Sequence, residues 1–222
     1  MISAPALQLY DYWRSSACYR VRIALNLKGL AYEARPVHLV RDGGEQHAAD
    51  YRTLNPQQLV PTLVDGQRVI RQSLAIIEYL EETRSETPAL LPAGARDRAH
   101  VRALALLVAC DIHPLNNLRV MQHLEREFGV DGDARTAWMR HWMASGFAAF
   151  EAMLSADAST GACCHGDEPT LADVCLVPQV YNARRFGLDL EPYPLIARID
   201  AHCLGLPAFQ RASPENQPDA AT

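Results

Sequence analysis

The hydrophobic rhythm of this chain changes once, at the proline-containing stretch Ser85–Ala93, and that change limits what it can fold into. Before it, short apolar runs of strand length alternate with helical patterns. After it the strand signals stop and long helical patterns follow. Mixed β/α elements followed by a run of helices imply two domains, one α/β and one all-α. The expected bounds are 1–87 and 93–222, with the prolines Pro88 and Pro92 in the linker. The 222 residues are enough to give two small domains real cores.

In the first part, Leu7–Tyr12 reads as a strand and Ser16–Lys28 as a helix. Val21, Ala24, Leu25 and Leu27 recur there at helical spacing, and Gly29 follows in the usual stop position. Tyr32–Val37 reads as a second strand, and the polar stretch Arg41–Arg52 as a loop or weak helix. Thr62–Val64 and Val69–Ile70 flank Asp65-Gly66, a hairpin signal. Ser73–Thr83 sets Leu74, Ile77 and Leu80 on one helical face. The order β-α-β-(α)-β-β-α is that of a thioredoxin-like unit. Beyond the linker, helical patterns cover about 97–128, 134–154, 171–186 and 195–203, and Pro114 should kink the first of them. Thr170-Leu171-Ala172-Asp173 has capping-box spacing and reads as structural. The polar tail from Ser213 should fray.

A formal charge of −5 argues against nucleic acid or an anionic membrane as the main partner. Residues 1–40 run the other way, with Arg14, Arg20, Arg22, Lys28 and Arg35 against Asp11 and Glu33. Arg14-Ser15-Ser16-Ala17-Cys18 therefore places an arginine, two hydroxyls and a thiol where a strand delivers the chain to a helix N-terminus, an end that favours an anion. The six cysteines, Cys18, Cys110, Cys163, Cys164, Cys175 and Cys203, show neither zinc-like spacing nor disulfide density, so no metal is expected and a reducing cytoplasm fits. No secretory pattern opens the chain, and the longest apolar run, Ala103–Cys110, is too short to span a bilayer.

Two further segments suit a peptide-like ligand. Val60-Pro61 precedes a strand, and a cis bond there would turn the Val60 backbone outward for pairing. Ser73 is placed to cap the third helix, whose N–H groups could instead hold a carboxylate.

Together with "WRSSACYRVRIALNLKG", "LNPQQLVPTL", "QSLAIIEYLEE", "CDIHPLNNLRV", "PTLADVCLVPQVYNARRF" and "YP", these segments resemble the glutathione transferases, and among them the zeta class of maleylacetoacetate and maleylpyruvate isomerases. The resemblance runs to about Arg211. It implies a glutathione transferase fold, glutathione as cofactor, a homodimer, and cis-trans isomerisation of a maleyl diacid. By that resemblance Ser15 or Ser16 would bond the glutathione sulfur, Val60 its cysteinyl backbone, and Gln72 and Ser73 its γ-glutamyl carboxylate. His113, with Asn116 or Asn117, would also reach it, and Arg14, Arg119 and one of Arg184 and Arg185 would hold the diacid. The class often carries Ser-Ser-Cys-Ser, whereas here Ala17 takes the cysteine position and Cys18 follows, about 100° further round the helix. Cys18 thus stands behind the serines. The rival readings are a thiol transferase using Cys18, a transferase or dehalogenase acting on small α-halo acids, and a non-enzymatic interaction domain.

Overall fold

The computed structural model describes residues 7–220. They form two compact units, one of residues 7–89 with 206–220 and one of residues 90–205. The boundary falls inside the expected linker.

The first unit is built on a four-stranded sheet of order β2-β1-β3-β4. Strand β1 (Leu7–Asp11) pairs in parallel with β2 (Tyr32–Pro36), Leu9 opposite Ala34, and antiparallel with β3 (Thr62–Asp65), Leu9 opposite Leu63. β3 continues into the antiparallel β4 (Arg68–Arg71). Asp65 pairs with Arg68, so the turn residues are Gly66 and Gln67, one position later than expected. Gly66 at φ +61 is the reason, since the turn needs a left-handed residue there. Helices α1 (Ser16–Leu27) and α3 (Ser73–Thr83) pack together. Leu9, Ile23, Leu25, Leu63, Ile76 and Ile77 make the fully buried core, each contributing about 1.5–3 kcal/mol by leaving water. The polar stretch after β2 forms two 3-10 turns and a short α2 (Ala49–Leu54).

Two charged knots are buried in this unit. Arg22 Nη1 donates to both carboxylate oxygens of Asp11, at 2.8 and 3.0 Å. Its Nη2 donates to Trp13 O at 2.8 Å and its Nε to Ala212 O at 3.0 Å. Lys28 Nζ meets Glu81 Oε2 at 2.7 Å and donates to Pro88 O at 3.0 Å.

The second unit is helical: α4 (Ala95–Leu106), α5 (Leu118–Phe128), α6 (Gly132–Ala156), α7 (Leu171–Arg185) and α8 (Pro194–Leu204). Helix α7 runs through its centre, buried along most of its length, with α4 and α8 against it. Pro114 does more than kink the first pattern. The helix opens into a π turn at Leu107–Ile112, tightens to a 3-10 turn at His113–Asn116, and restarts as α5 behind the N-cap Asn117. A proline lacks the N–H that would continue the ladder and clashes with the carbonyl four residues back. Gly146 of α6 accommodates the bulge, because a Cβ there would lie 2.3 Å from Ile112 Cγ1. The capping box forms as expected. The Asp173 carboxylate accepts from Thr170 N and Thr170 Oγ1, both at 2.8 Å, and also from Cys164 N at 2.7 Å.

Through Ala220 the tail does not fray, and it does not stay with the helical domain to which the sequence assigned it. From Leu206 onward it joins the first unit, where helix α9 (Pro207–Ala212) packs on α1. Asn26 Nδ2 donates to Ala208 O at 2.9 Å, and Trp13 N donates to Asp219 Oδ2 at 3.0 Å. Gln217, itself buried, donates to Arg211 O and Ser213 O. Polar composition suggested solvent, but these polar groups face backbone partners.

Removing one member of a buried ion pair leaves the other uncompensated, at about 3–5 kcal/mol. Arg22→Ala should cost that much in urea unfolding, and a loss under about 1 kcal/mol would refute the importance of the knot. Asp173→Ala strands the buried N–H groups of Cys164 and Thr170 and should cost about 2–4 kcal/mol. Asp173→Asn keeps an acceptor and should lose less by the same measurement.

Candidate functional site

In the first unit the start of α1 has the features of an anion site. Ser15 is its N-cap, and Ser15 Oγ accepts from Cys18 N at 3.3 Å. The Ser15 hydroxyl also interacts with the Cys18 thiol. Ser16 is the first helical residue, and no acidic side chain occupies the first turn. The partial positive charge of the helix end is therefore not met by a carboxylate of its own. Arg14 stands just ahead, half-buried. Its guanidinium carbon lies 5.2 Å above the Trp13 ring, and its Nη2 donates to Tyr12 Oη at 3.4 Å. Among the described residues no carboxylate pairs with it.

Cys18 faces the core. It is fully buried among Tyr12, Val37, Tyr51 and Val60. Burial pushes its thiol well above the usual range, with the Asp11 carboxylate adding to the effect. A buried thiol held protonated is a poor nucleophile, which disfavours the thiol transferase reading.

Val60 lies beside Cys18 in this cluster, and the Val60–Pro61 bond is cis as expected. The turn is gripped by two residues that sequence reasoning passed over. Tyr51 Oη and Asn55 Nδ2 both donate to Leu59 O, at 2.6 and 2.7 Å, and both contact Thr62 Oγ1. The signal available was the run Asn55-Pro56, typical of a turn with an Asx bond; Gln57 N donates to Asn55 Oδ1 at 3.1 Å.

At the start of α3 the structure corrects one expectation. The N-cap is Gln72, at φ +72, and Ser73 is the first helical residue. No side chain caps this end and no acid sits in its first turn, so the N–H groups there have neither an intrahelical partner nor a cap. A non-glycine residue in the left-handed region is strained, and such strain gathers at ligand sites. Gln72 is exposed, its Nε2 donating to Gln57 Oε1 at 2.9 Å, while Ser73 is buried, its Oγ accepting from Arg20 Nη1 at 3.3 Å. Arg20 thereby ties α1 to the start of α3. With arginine supplying 20 of the 21 basic residues, nothing in the sequence singled it out.

The remaining predicted residues belong to the second unit. His113 opens the 3-10 turn and is half-buried. Asn117 Oδ1 accepts from Arg119 N at 3.1 Å, and the buried Asn116 donates to Ile112 O at 2.8 Å, so both amides serve the restart of α5. Arg119 is exposed, and its guanidinium has no partner among the described residues. Arg184 and Arg185 differ. Arg184 Nη1 pairs with Asp200 Oδ2, a buried carboxylate. Burial raises the Asp200 carboxyl above its usual range, and Arg184 pulls it back. Arg185 is exposed, with its guanidinium carbon 4.8 Å above the Phe186 ring.

The family described as "Glutathione S-transferase, N-terminal domain" matches residues 9–88. The maleylacetoacetate isomerase of Rhizobium meliloti (strain 1021) is 56% identical over 93% of this chain and 95% of its own. A solved holo structure of a maleylpyruvate isomerase, described as a bacterial glutathione transferase of the zeta class, superposes with a TM-score of 0.92 at 54% identity, covering 96% of this chain and 99% of that one. A maleylacetoacetate isomerase from Methylobacterium extorquens AM1, solved with malonate and glutathione bound, superposes with a TM-score of 0.91 at 44% identity, covering 95% and 98%. Agreement of this kind along nearly the full length of both chains shows that this protein belongs to the zeta-class glutathione transferases, the family of the maleylacetoacetate and maleylpyruvate isomerases.

Proposed function

We infer that this protein is a glutathione-dependent isomerase that turns the cis double bond of a maleyl diacid into the trans form. It would act on maleylacetoacetate or maleylpyruvate, in the breakdown of aromatic amino acids or aromatic acids. The observation that carries this reading is the start of α1. There the Ser15 hydroxyl caps a helix end that has no acid of its own, and Arg14 just before it has no carboxylate partner among the described residues. Among the family's solved members, one has malonate, a small dicarboxylate, and glutathione bound.

The first unit fits glutathione by the chemistry of its donors. The uncapped N–H groups at the start of α3, with the buried Ser73 hydroxyl, suit an α-carboxylate such as that of a γ-glutamyl group. The cis-Pro turn at Val60, gripped by Tyr51 and Asn55, supplies backbone for peptide pairing. Ser15 and the α1 end favour a thiolate over a thiol. A free thiol titrates near about 8.5, and about 1.4 kcal/mol of differential stabilisation moves it by one unit. When bound, glutathione supplies the nucleophilic sulfur that opens the double bond to rotation and then departs unchanged. Arg14 would hold a substrate carboxylate through its planar fork and offset negative charge nearby. Arg119, Arg184 and Arg185 are the second-unit candidates for the same task, with Arg184 also pairing with Asp200. His113 remains a candidate contact to glutathione. The reading extends to a homodimer, implied by family resemblance, and to a reducing cytoplasm, supported by six free thiols. Among the described residues no helix is long and apolar enough to cross a membrane.

The protein incubated with each maleyl substrate and catalytic glutathione should form the trans product without consuming glutathione. Failure with both substrates, with glutathione binding intact, would overturn the reading. Ser15→Ala should lower kcat/KM about 100-fold, as loss of a donor to developing charge does, while Cys18→Ala stays near wild type. The reverse pattern would restore the thiol transferase. Arg184→Ala should act on stability instead, costing on the order of 1–2 kcal/mol at neutral pH, a buried-pair loss reduced by the exposure of the guanidinium. The Asp200 carboxyl is already raised in the fold, so the difference from wild type should shrink as pH falls and Asp200 takes up its proton. Urea midpoints at neutral and mildly acidic pH check this.

A further inference from the structure

His100, Asp157 and His165 lie in the second unit, and none has a part in the chemistry above. His100 is on α4, Asp157 is the C-cap of α6, and His165 sits in the loop between α6 and α7. Each offers one ligand atom, and the three atoms lie within 4.8 Å of one another. His100 Nε2 is 2.9 Å from Asp157 Oδ2, and the two imidazole centroids are 6.0 Å apart. A His–Asp ion pair accounts for two of these groups and not for the third. The buried Nδ1 of His165 has no hydrogen-bond partner among the described residues.

The loop that carries two of the three is tightly built. Asp157 Oδ1 accepts from Ser159 N at 2.8 Å, which turns Oδ2 toward His100. Gly166 N donates to Ser159 O at 2.7 Å, Cys163 N to Gly166 O at 2.9 Å, and Ala162 N to Asp167 Oδ1 at 2.9 Å. At Gly161 a Cβ would lie 2.4 Å from Gly166 O, so the backbone closes on itself there. Groups held on such a frame are organised before any ligand arrives. Asp157 also stands at the C-terminal end of a 25-residue helix, where the last carbonyls favour a cation.

We propose that His100, Asp157 and His165 form a site for a borderline divalent transition-metal cation of the zinc, cobalt or nickel type, with water completing its coordination. Two imidazole nitrogens with one carboxylate oxygen suit such ions, whereas calcium and magnesium prefer all-oxygen sets. Bond lengths of about 2.0–2.2 Å place tetrahedral ligand atoms roughly 3.4 Å apart, so small side-chain rotations bring this set into register. All three residues are half-buried, within reach of a solvent ion. Among the described residues the other cluster of metal-ligating type, Cys163, Asp173 and Cys203, is unsuitable because Asp173 already accepts three hydrogen bonds, two of them capping α7. The proposed ion would fasten α4 to the loop ahead of α7 and is separate from the isomerase chemistry.

The test uses the full chain without a polyhistidine tag, stripped of metal and kept free of glutathione and other thiols. Titration with Zn2+ should show one ion per chain at micromolar concentration or below, with a rise in melting temperature. Co2+ should give a visible spectrum lacking the sulfur-to-metal band of a cysteine site. His100→Gln and His165→Gln should each weaken zinc binding at least about tenfold and leave the metal-free melting temperature near that of wild type. The proposal is overturned by zinc binding only in the millimolar range or by undiminished binding in the double variant. A cobalt spectrum with sulfur character in the wild-type chain would overturn it as well, whatever the fate of the variants.

Discussion

The first unit depends on the buried guanidinium of Arg22. One side chain neutralises Asp11 at the end of β1, binds the Trp13 carbonyl in the turn that follows, and holds Ala212 O at the end of α9. Burying an arginine and an aspartate is costly in itself, and the cost is offset only where geometry and hydrogen bonding are complete. Here they are nearly so, and the consequence is local order. The residues locked by Arg22 are those just before Arg14 and Ser15. The candidate site thus adjoins a buried charge pair.

Two helix ends in this unit are treated differently, and the difference reads as division of labour. Ser15 caps α1, its Oγ accepting from Cys18 N. At α3 the cap position is occupied by Gln72 in a left-handed conformation, and no side chain satisfies the end. In the proposed reading, one end takes a sulfur that must keep its reactivity. The other suits a carboxylate that only needs holding. Arg20, reaching from α1 to Ser73, keeps the two in register.

Much of this was legible beforehand. The shift from mixed to purely helical periodicity gave the two-domain division, because strand and helix patterns have different repeats. The hairpin, the capping box at Thr170–Asp173 and the position of Ser15 follow from local chemistry, and local chemistry is written in adjacent residues. The misses share one cause. Pro114 was read as a kink because the sequence does not show Ile112 filling the gap at Gly146. The tail was read as frayed because polar residues look alike whether they face water or the backbone of a distant helix. His100 is far in sequence from Asp157 and His165, so no spacing points to the three together.

By itself the sequence determined the fold class, the start of α1 at Ser16 and the family to which the chain belongs, since these rest on short-range periodicity and contiguous motifs. Only the tertiary structure decided that Cys18 is buried in the core, that Gln72 and not Ser73 caps α3, and that Arg184 answers to Asp200. The physical reason is common to all three. A side chain's reactivity and availability are set by what surrounds it in space: the low-polarity core around a thiol, the backbone angle at a helix start, the buried carboxylate beside a guanidinium.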